Sequence, residues 1–482
     1  MGESLNRREF LGTTAAGGAF LAAGGLGAKA PTTAPATAPE AEWPRMPAVK
    51  IHKVYAGTSG GAWPGPKFNA TTEIARYEKL LAQAEGKLDN VKFVGGQQVK
   101  TASEAAKVAE NLGDADAVLV FDLNFHDGRR VAPLVSAGLP TAIFVYPFSG
   151  HQWMYYSQWQ EAGKKLMVLP TSDYGRIERA ASLLAVPGRM KKTRILVVGR
   201  PRGTKAACTP EEVKKRLGCE MVAVTNREVI EAHKAVDPKA AEAEAQKYWI
   251  GKAEKIVEPP KAAIVNSARL FLAVKKLMAD RGAQATTSSH CMGAPAKCCL
   301  TYSKLNDLGL VGACEGDMDS TLTMLIFRYA FGVPGFISDP LFDFAKNSVI
   351  HAHCTCTTTL DGPGGERAPF VIRTQCDSER GVSLEVRMRV GQEITCAKLA
   401  NAEAMLISTG KITEIPDYYD RGCRTQITTE VRDARKMYRN WGGKVLPNDM
   451  MTLLHRVVFY GNHLQDVRNL SLLMGLKVVE EG

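Results

Sequence analysis

From Val49 onward, short β-branched runs alternate with helix-forming stretches, and this alternation limits the fold more than any other feature of the chain. Ile51–Ala56, Val91–Val94, Ala117–Phe121, Thr141–Tyr146 and Leu166–Leu169 read as strands, with helices such as Glu73–Glu85 and Ala102–Leu112 between them. Strands separated by whole helices run parallel, and a parallel sheet must be covered on both faces. A second round begins at Arg194–Val198, after a basic linker at Pro187-Gly188-Arg189-Met190-Lys191-Lys192. It carries long helices at Arg227–Ala235, Pro238–Glu258 and Lys261–Arg281, and the alternation continues to about Asp343. From Pro369 the character changes. Phe370–Thr374, Ser383–Val390, Glu393–Leu399, Ala404–Ile415 and Arg424–Val431 are strand-like, with Gly or Asp turns between them. That pattern predicts an antiparallel, barrel-like unit closed by a helical C-terminus.

The expected architecture is α/β: two doubly wound parallel-sheet domains, flavodoxin/Rossmann-like, at residues 49–190 and 191–345, then a β-rich, barrel-like C-terminal domain at 346–482. A length of 482 residues suits about three domains. The hydrophobic share of 45% and charged share of 23% exclude disorder and a coiled coil. The net charge of +11 is scattered, with no Lys/Arg run flanked by aromatics, so nucleic acid is not an expected partner. Eleven cysteines are too few for a disulfide scaffold, and an odd number leaves at least one unpaired in the monomer.

Ahead of this body, Asn6-Arg7-Arg8-Glu9-Phe10-Leu11-Gly12 precedes a weakly hydrophobic Gly/Ala stretch and an Ala28-Lys29-Ala30 cleavage signal. Residues 1–30 thereby resemble a twin-arginine export signal, although Asn6 and Gly12 depart from its less strict positions. The stretch is short of the ~20 apolar residues of a stable span, so no membrane anchor is expected after cleavage. Residues 31–48, rich in Pro, Ala and Thr, read as a spacer. The resemblance implies recognition by the twin-arginine machinery, export to the periplasm already folded, and loading of any metal before export.

Two carboxylates occupy telling places. Gly312-Ala313-Cys314-Glu315-Gly316-Asp317 lies where a short strand ends and the helix Met318–Tyr329 begins. Gly335-Phe336-Ile337-Ser338-Asp339-Pro340 repeats the arrangement 24 residues after Glu315. Carboxyl ends of strands line the ligand crevice of open α/β sheets, so Glu315 and Asp339 can converge on one site. Oxygen ligands with an imidazole suit Mg²⁺ or Mn²⁺. The plainer readings are that Asp339 caps a turn and that Glu315 or Asp317 complements a helix N-terminus. His351-Ala352-His353-Cys354-Thr355-Cys356 invites zinc, yet no second Cys pair at a structural-zinc spacing follows, and one imidazole joining the carboxylates is more economical. Gly461-Asn462-His463 can present another imidazole from the third domain, with His455 on a preceding helix as a competitor. Gly199-Arg200-Pro201-Arg202-Gly203 follows a strand but lacks the third glycine and the lysine of phosphate-binding fingerprints, which favours an ordinary turn.

Taken in order, Gly312 to Asp317, Gly332-Val333-Pro334 with Asp339, and His353-Cys354 resemble the L-fucose/L-arabinose isomerase superfamily. Gly391-Gln392-Glu393-Ile394-Thr395-Cys396-Ala397-Lys398-Leu399 is similar to its C-terminal G-x-V-T-L-x-R-L stretch. Gly410-Lys411-Ile412, Gly422-Cys423-Arg424-Thr425 and Gly461-Asn462-His463 match later landmarks. The likeness covers roughly residues 190–482, and the first domain by architecture alone. It implies a Mn²⁺-dependent (or other divalent-metal) aldose–ketose isomerase working through an enediol on a free sugar. Glu315 and Asp339 would be metal ligands and the acid/base pair, and His463 a further ligand. His353 matches a ligand of the arabinose branch, whereas Asp at 339 matches the fucose branch. The resemblance also implies a homo-oligomer. A non-catalytic, exported sugar-binding paralogue is the rival reading, and a dehydrogenase using the Gly199–Gly203 turn is a third.

Overall fold

The computed structural model describes residues 44–61, 63–419, 421–441, 446 and 453–482. The expected export signal and most of the spacer lie outside the described residues.

Strands β1 (Val49–Ala56), β2 (Val91–Val99), β3 (Ala117–Asp122), β4 (Thr141–Val145) and β5 (Leu166–Pro170) form one parallel sheet in the order β2-β1-β3-β4-β5. This is the flavodoxin-like order, as the alternation predicts. The central β3 is buried along its whole length because helices cover both faces. Local signals set its helices. Asn69 caps Ala70–Glu85 by accepting from the Thr72 N–H, and Thr101 with Glu104 forms a capping box at Ala102–Glu110.

A second parallel sheet takes the order β10-β9-β6-β7, from β6 (Arg194–Val198), β7 (Glu220–Val224), β9 (Ala285–Ser288) and β10 (Val311–Ala313). The short strand β8 (Lys255–Ile256) leaves this unit to pair with β13 (Phe370–Arg373), which also pairs with β14 (Ser383–Val386). The remaining strands are β11 (Phe336–Asp343), β12 (Ser348–His353), β15 (Glu393–Ala400), β16 (Ala404–Glu414), β17 (Thr425–Val431), β18 (Arg456–Tyr460) and β19 (Lys477–Glu480). Six of them close a barrel in the order β15-β18-β11-β12-β17-β16, with β16 pairing back to β15 and β19 added in parallel to β16. Among the described residues no helix is long and apolar enough to cross a membrane.

Three expectations need correction. The basic linker is not a linker: Pro187 and Gly188 sit inside one continuous helix, Gly175–Lys191. Burial wins over the Pro-Gly break signal there, for Val186, Gly188, Arg189 and Met190 are all buried, and Arg189 donates to the Tyr329 carbonyl. The long helix expected at Pro238–Glu258 stops early. It becomes a π-turn at Ala245–Ile250, which buries Trp249, and then ends. Finally, β11 belongs to the barrel rather than to the second parallel sheet, so the boundary falls near residue 335 instead of 345.

The helix Met318–Phe331 is buried on nearly every side, as its sequence Met-Asp-Ser-Thr-Leu-Thr-Met-Leu-Ile-Phe-Arg-Tyr-Ala-Phe requires of a helix without a wide polar face. It shares one apolar core with helix Gly175–Lys191, β15 and β18. At the start of β18, Arg456 is fully buried and paired with the equally buried Glu481 through two hydrogen bonds of 3.0 and 2.7 Å, with Trp441 stacked 3.8 Å from the guanidinium carbon. Removing one charge strands the other. Glu481→Gln should destabilise the protein by about 3 kcal/mol, read as a lower urea midpoint, and Arg456→Met with Glu481→Leu should recover most of that loss.

Candidate metal centre

The turn after β10 builds the first half of the site. Asp317 caps helix Met318–Phe331, accepting from the Ser320 N–H at 2.9 Å and the Ser320 hydroxyl at 2.8 Å. Two residues earlier, Glu315 sits in the left-handed region at φ +61°, a conformation that costs a non-glycine residue roughly 1 kcal/mol or more. Gly316 follows at φ +75°, where a Cβ would stand 3.0 Å from the Arg200 carbonyl oxygen. The Gly199–Gly203 loop secures this turn: the Arg202 N–H donates to the Gly316 carbonyl at 2.8 Å, and the Met318 N–H returns a bond to Arg202 at 3.0 Å. That loop is therefore occupied in bracing the turn.

Barrel strands supply the second half. Antiparallel pairing of β11 with β18 sets Ser338 opposite Arg456, so the next position brings Asp339 beside His455. Pairing of β11 with β12 sets Asp339 opposite Ala352, next to His353. Three adjacent strands thus deliver Asp339, His353 and His455 to one end of the barrel, with a ligand atom of each within 4.8 Å of the others. His455 Nε2 lies 3.3 Å from Asp339 Oδ1 and 3.8 Å from Glu315 Oε2, so Glu315 reaches the same point from the α/β unit. Cys314, Glu315 and His353 form an overlapping group. The imidazoles are buried, whereas the Glu315 and Asp339 side chains are 44% and 41% exposed, which leaves the carboxylate side open to a ligand.

Behind this cluster stands Asp317. His455 Nδ1 is 2.9 Å from its Oδ2, and the fully buried Lys398 Nζ is 2.5 Å from the same oxygen. Burial opposes its ionisation, but Lys398 and His455 overcome that and hold the carboxyl far below the usual range. An Nδ1–H given to Asp317 fixes the ring so that Nε2 faces Asp339 and Glu315, the arrangement that orients a metal-binding histidine. Without an ion between them, two carboxylates facing Nε2 favour a proton there. Burial pulls the His455 pKa down, yet the bonds to Asp317 and Asp339 raise it to about 9. Asp339 is lowered: burial resists, and His455 and His353 outweigh it. Burial and the neighbouring His455 push the His353 pKa down, and its Nδ1 lies 3.2 Å from the Thr355 hydroxyl.

Of the four side chains singled out from sequence, the structure brings Glu315, Asp339 and His353 together and leaves His463 out. His463 lies beyond the far end of β18. Its Nε2–H donates to the Tyr460 carbonyl at 2.8 Å, and its ring stacks on Phe331 at 4.1 Å. His455 is the imidazole that stands with Asp339 and His353 instead. It precedes a strand rather than lying on a helix, and the register of β18 against β11 is what brings it beside Asp339. Asp317 does cap the helix, but it also supports the centre, which no spacing reveals. His351 is outside the group, held between Ser338 Oγ at 2.9 Å and Thr429 Oγ1 at 3.2 Å.

His455→Ala should weaken Mn²⁺ binding by about 100-fold or more, and Asp317→Asn by about 10- to 100-fold through loss of orientation. His463→Ala should leave it within about twofold, since that ring is engaged elsewhere. Calorimetric titration of the stripped protein checks all three. Neither a family model nor a curated protein matches the chain, so the functional reading rests on these side chains.

Proposed function

We propose that this protein is a divalent-metal-dependent aldose–ketose isomerase, similar to the L-fucose/L-arabinose isomerases, that acts on a free sugar. One observation carries the reading: two half-exposed carboxylates from different structural units, Glu315 and Asp339, face the same imidazole nitrogen of His455. Two carboxylates with two imidazoles make a hard-to-borderline donor set that fits Mn²⁺ or a similar ion, held by Glu315, Asp339 and His455 with His353 adjacent. When bound, such an ion would supply Lewis-acid stabilisation of the negative charge that develops on the sugar's O1 and O2.

The chain's own residues account for the rest. Isomerisation moves a proton between C1 and C2 through an enediol, and a carboxylate of the Glu315/Asp339 pair takes that proton and returns it to the neighbouring carbon. Both side chains are half-exposed, so a sugar would meet them from solvent. Lys398 and Asp317 keep His455 oriented and sit too deep to touch a substrate. Export through the leader-like segment and assembly into a homo-oligomer belong to the same proposal, supported by the resemblance.

With Mn²⁺ restored, the protein should catalyse deuterium incorporation at C1 or C2 of at least one aldose in heavy water, followed by nuclear magnetic resonance. Glu315→Gln should slow that exchange by about 100- to 10,000-fold while the fold is kept. Turnover surviving within a few-fold would remove Glu315 from the proton transfer. Metal binding with no exchange on any aldose, alongside sugar binding, would instead identify a sugar-binding paralogue.

A further inference from the structure

The His351–Cys356 segment carries a thiol, Cys354, one residue after His353 but grouped with other side chains. It follows β12, and the fold brings it two partners from distant loops: Cys376 after β13 and Cys423 before β17. One sulfur from each of the three lies within 4.8 Å of the others, and Cys376 Sγ is 3.1 Å from Cys423 Sγ. We propose that Cys354, Cys376 and Cys423 form a second metal site, a thiolate site for a thiophilic d¹⁰ cation of the Zn²⁺ type, separate from the carboxylate–imidazole centre.

Geometry argues for it on three counts. Two sulfurs bound to one zinc at about 2.3 Å stand about 3.8 Å apart in a tetrahedral site, so the Cys376 and Cys423 sulfurs need separate by only about 0.7 Å. The fourth position also has a candidate, since Asp377 Oδ1 lies 3.1 Å from Cys376 Sγ on the exposed side, and carboxylate oxygen is an accepted zinc ligand. Cys354 is buried while Cys376 and Cys423 are partly open, which gives an ion a route in.

The loops are fixed independently of any ion. Gln375 Nε2 holds Asp377 at 2.9 Å, and Lys297 Nζ holds Gln375 Oε1 at 3.2 Å. Arg424 Nε donates to the Thr374 carbonyl at 2.8 Å, tying the Cys423 loop to the Cys376 loop, and Gln426 donates to the Cys423 carbonyl at 2.9 Å. A preorganised trio loses little entropy on binding. The thiols release their protons to solvent as the ion enters. No chain spacing announces this site: β12 runs beside β17 and sets His353 opposite Thr425, which brings Cys423 to Cys354, and the Arg424 bond to Thr374 brings in the Cys376 loop.

Co²⁺ is the probe. Titrated into the reduced, chelator-stripped full chain, it should give a near-ultraviolet sulfur-to-metal charge-transfer band that saturates at about one ion per chain. The band should persist in Asp339→Ala, and Cys376→Ser or Cys423→Ser should weaken it by about 100-fold or more. Zn²⁺ should abolish it by displacing Co²⁺. In the unaltered protein Zn²⁺ should also shield Cys376 and Cys423 from iodoacetamide, a readout that needs no variant to fold. No band and no shielding in the folded, reduced protein would overturn the site. So would isolation of the protein metal-free with Cys376 and Cys423 joined as a disulfide. Loss of the band in Asp339→Ala would overturn its independence from the first centre.

Discussion

Asp317 is the group on which the rest of the site depends. One carboxylate ends the N-terminal turn of the helix Met318–Phe331, neutralises the buried Lys398 of β15 and accepts from the His455 ring. A buried ammonium without a partner is costly, and so is a buried carboxylate. Each therefore requires the other, and together they lock the deeply buried helix Met318–Phe331 of the α/β unit to the barrel. Asp319, one turn edge away, shows the alternative. It is buried and takes its hydrogen bonds from Thr204, at 2.6 Å to both the amide and the hydroxyl, and burial raises its pKa to about 7. Two carboxyls two residues apart are thus driven in opposite directions by what faces them.

Much of the fold is legible in the chain. Continuous apolar strands such as Ala117–Asp122, separated by helix-length stretches, leave little choice but a parallel sheet, and the helix at Lys261–Arg281 is found where its pattern places it. What the pattern hides is decided by tertiary packing. Pro187-Gly188 reads as a break until the buried face of Val186 and Met190 is known to be covered on both sides. Phe336–Asp343 reads equally well as a parallel or an antiparallel strand, since both begin with an apolar run, and only its pairing with β12 and β18 assigns it.

The candidate site divides in the same way. Glu315 and Asp339 stand out because each follows a short apolar run, although Asp339 proves to lie within β11, whose ladder continues to Asp343, rather than at a strand end. The imidazoles do not, because three histidines near the end of a strand look alike in one dimension. Register separates them: His455 extends the β11–β18 ladder to Asp339, whereas His463 is placed by the opposite end of that ladder and stacks on Phe331. Adjacent residues can also serve unlike chemistries. His353 belongs with hard oxygen donors and Cys354 with two other thiols, although a single peptide bond separates them.

Glu315 is presented by the α/β unit, from a backbone held in the left-handed region, while Asp339, His353 and His455 all come from the barrel. A cation gripped by both sets can bind only the docked arrangement of the two units. Mass action then converts occupancy into cohesion: an ion at about 100 times its dissociation constant would strengthen the seam by about 2.7 kcal/mol. Metal supply would in that way govern how long the molecule resists heat and proteases, quite apart from any reaction at its open face.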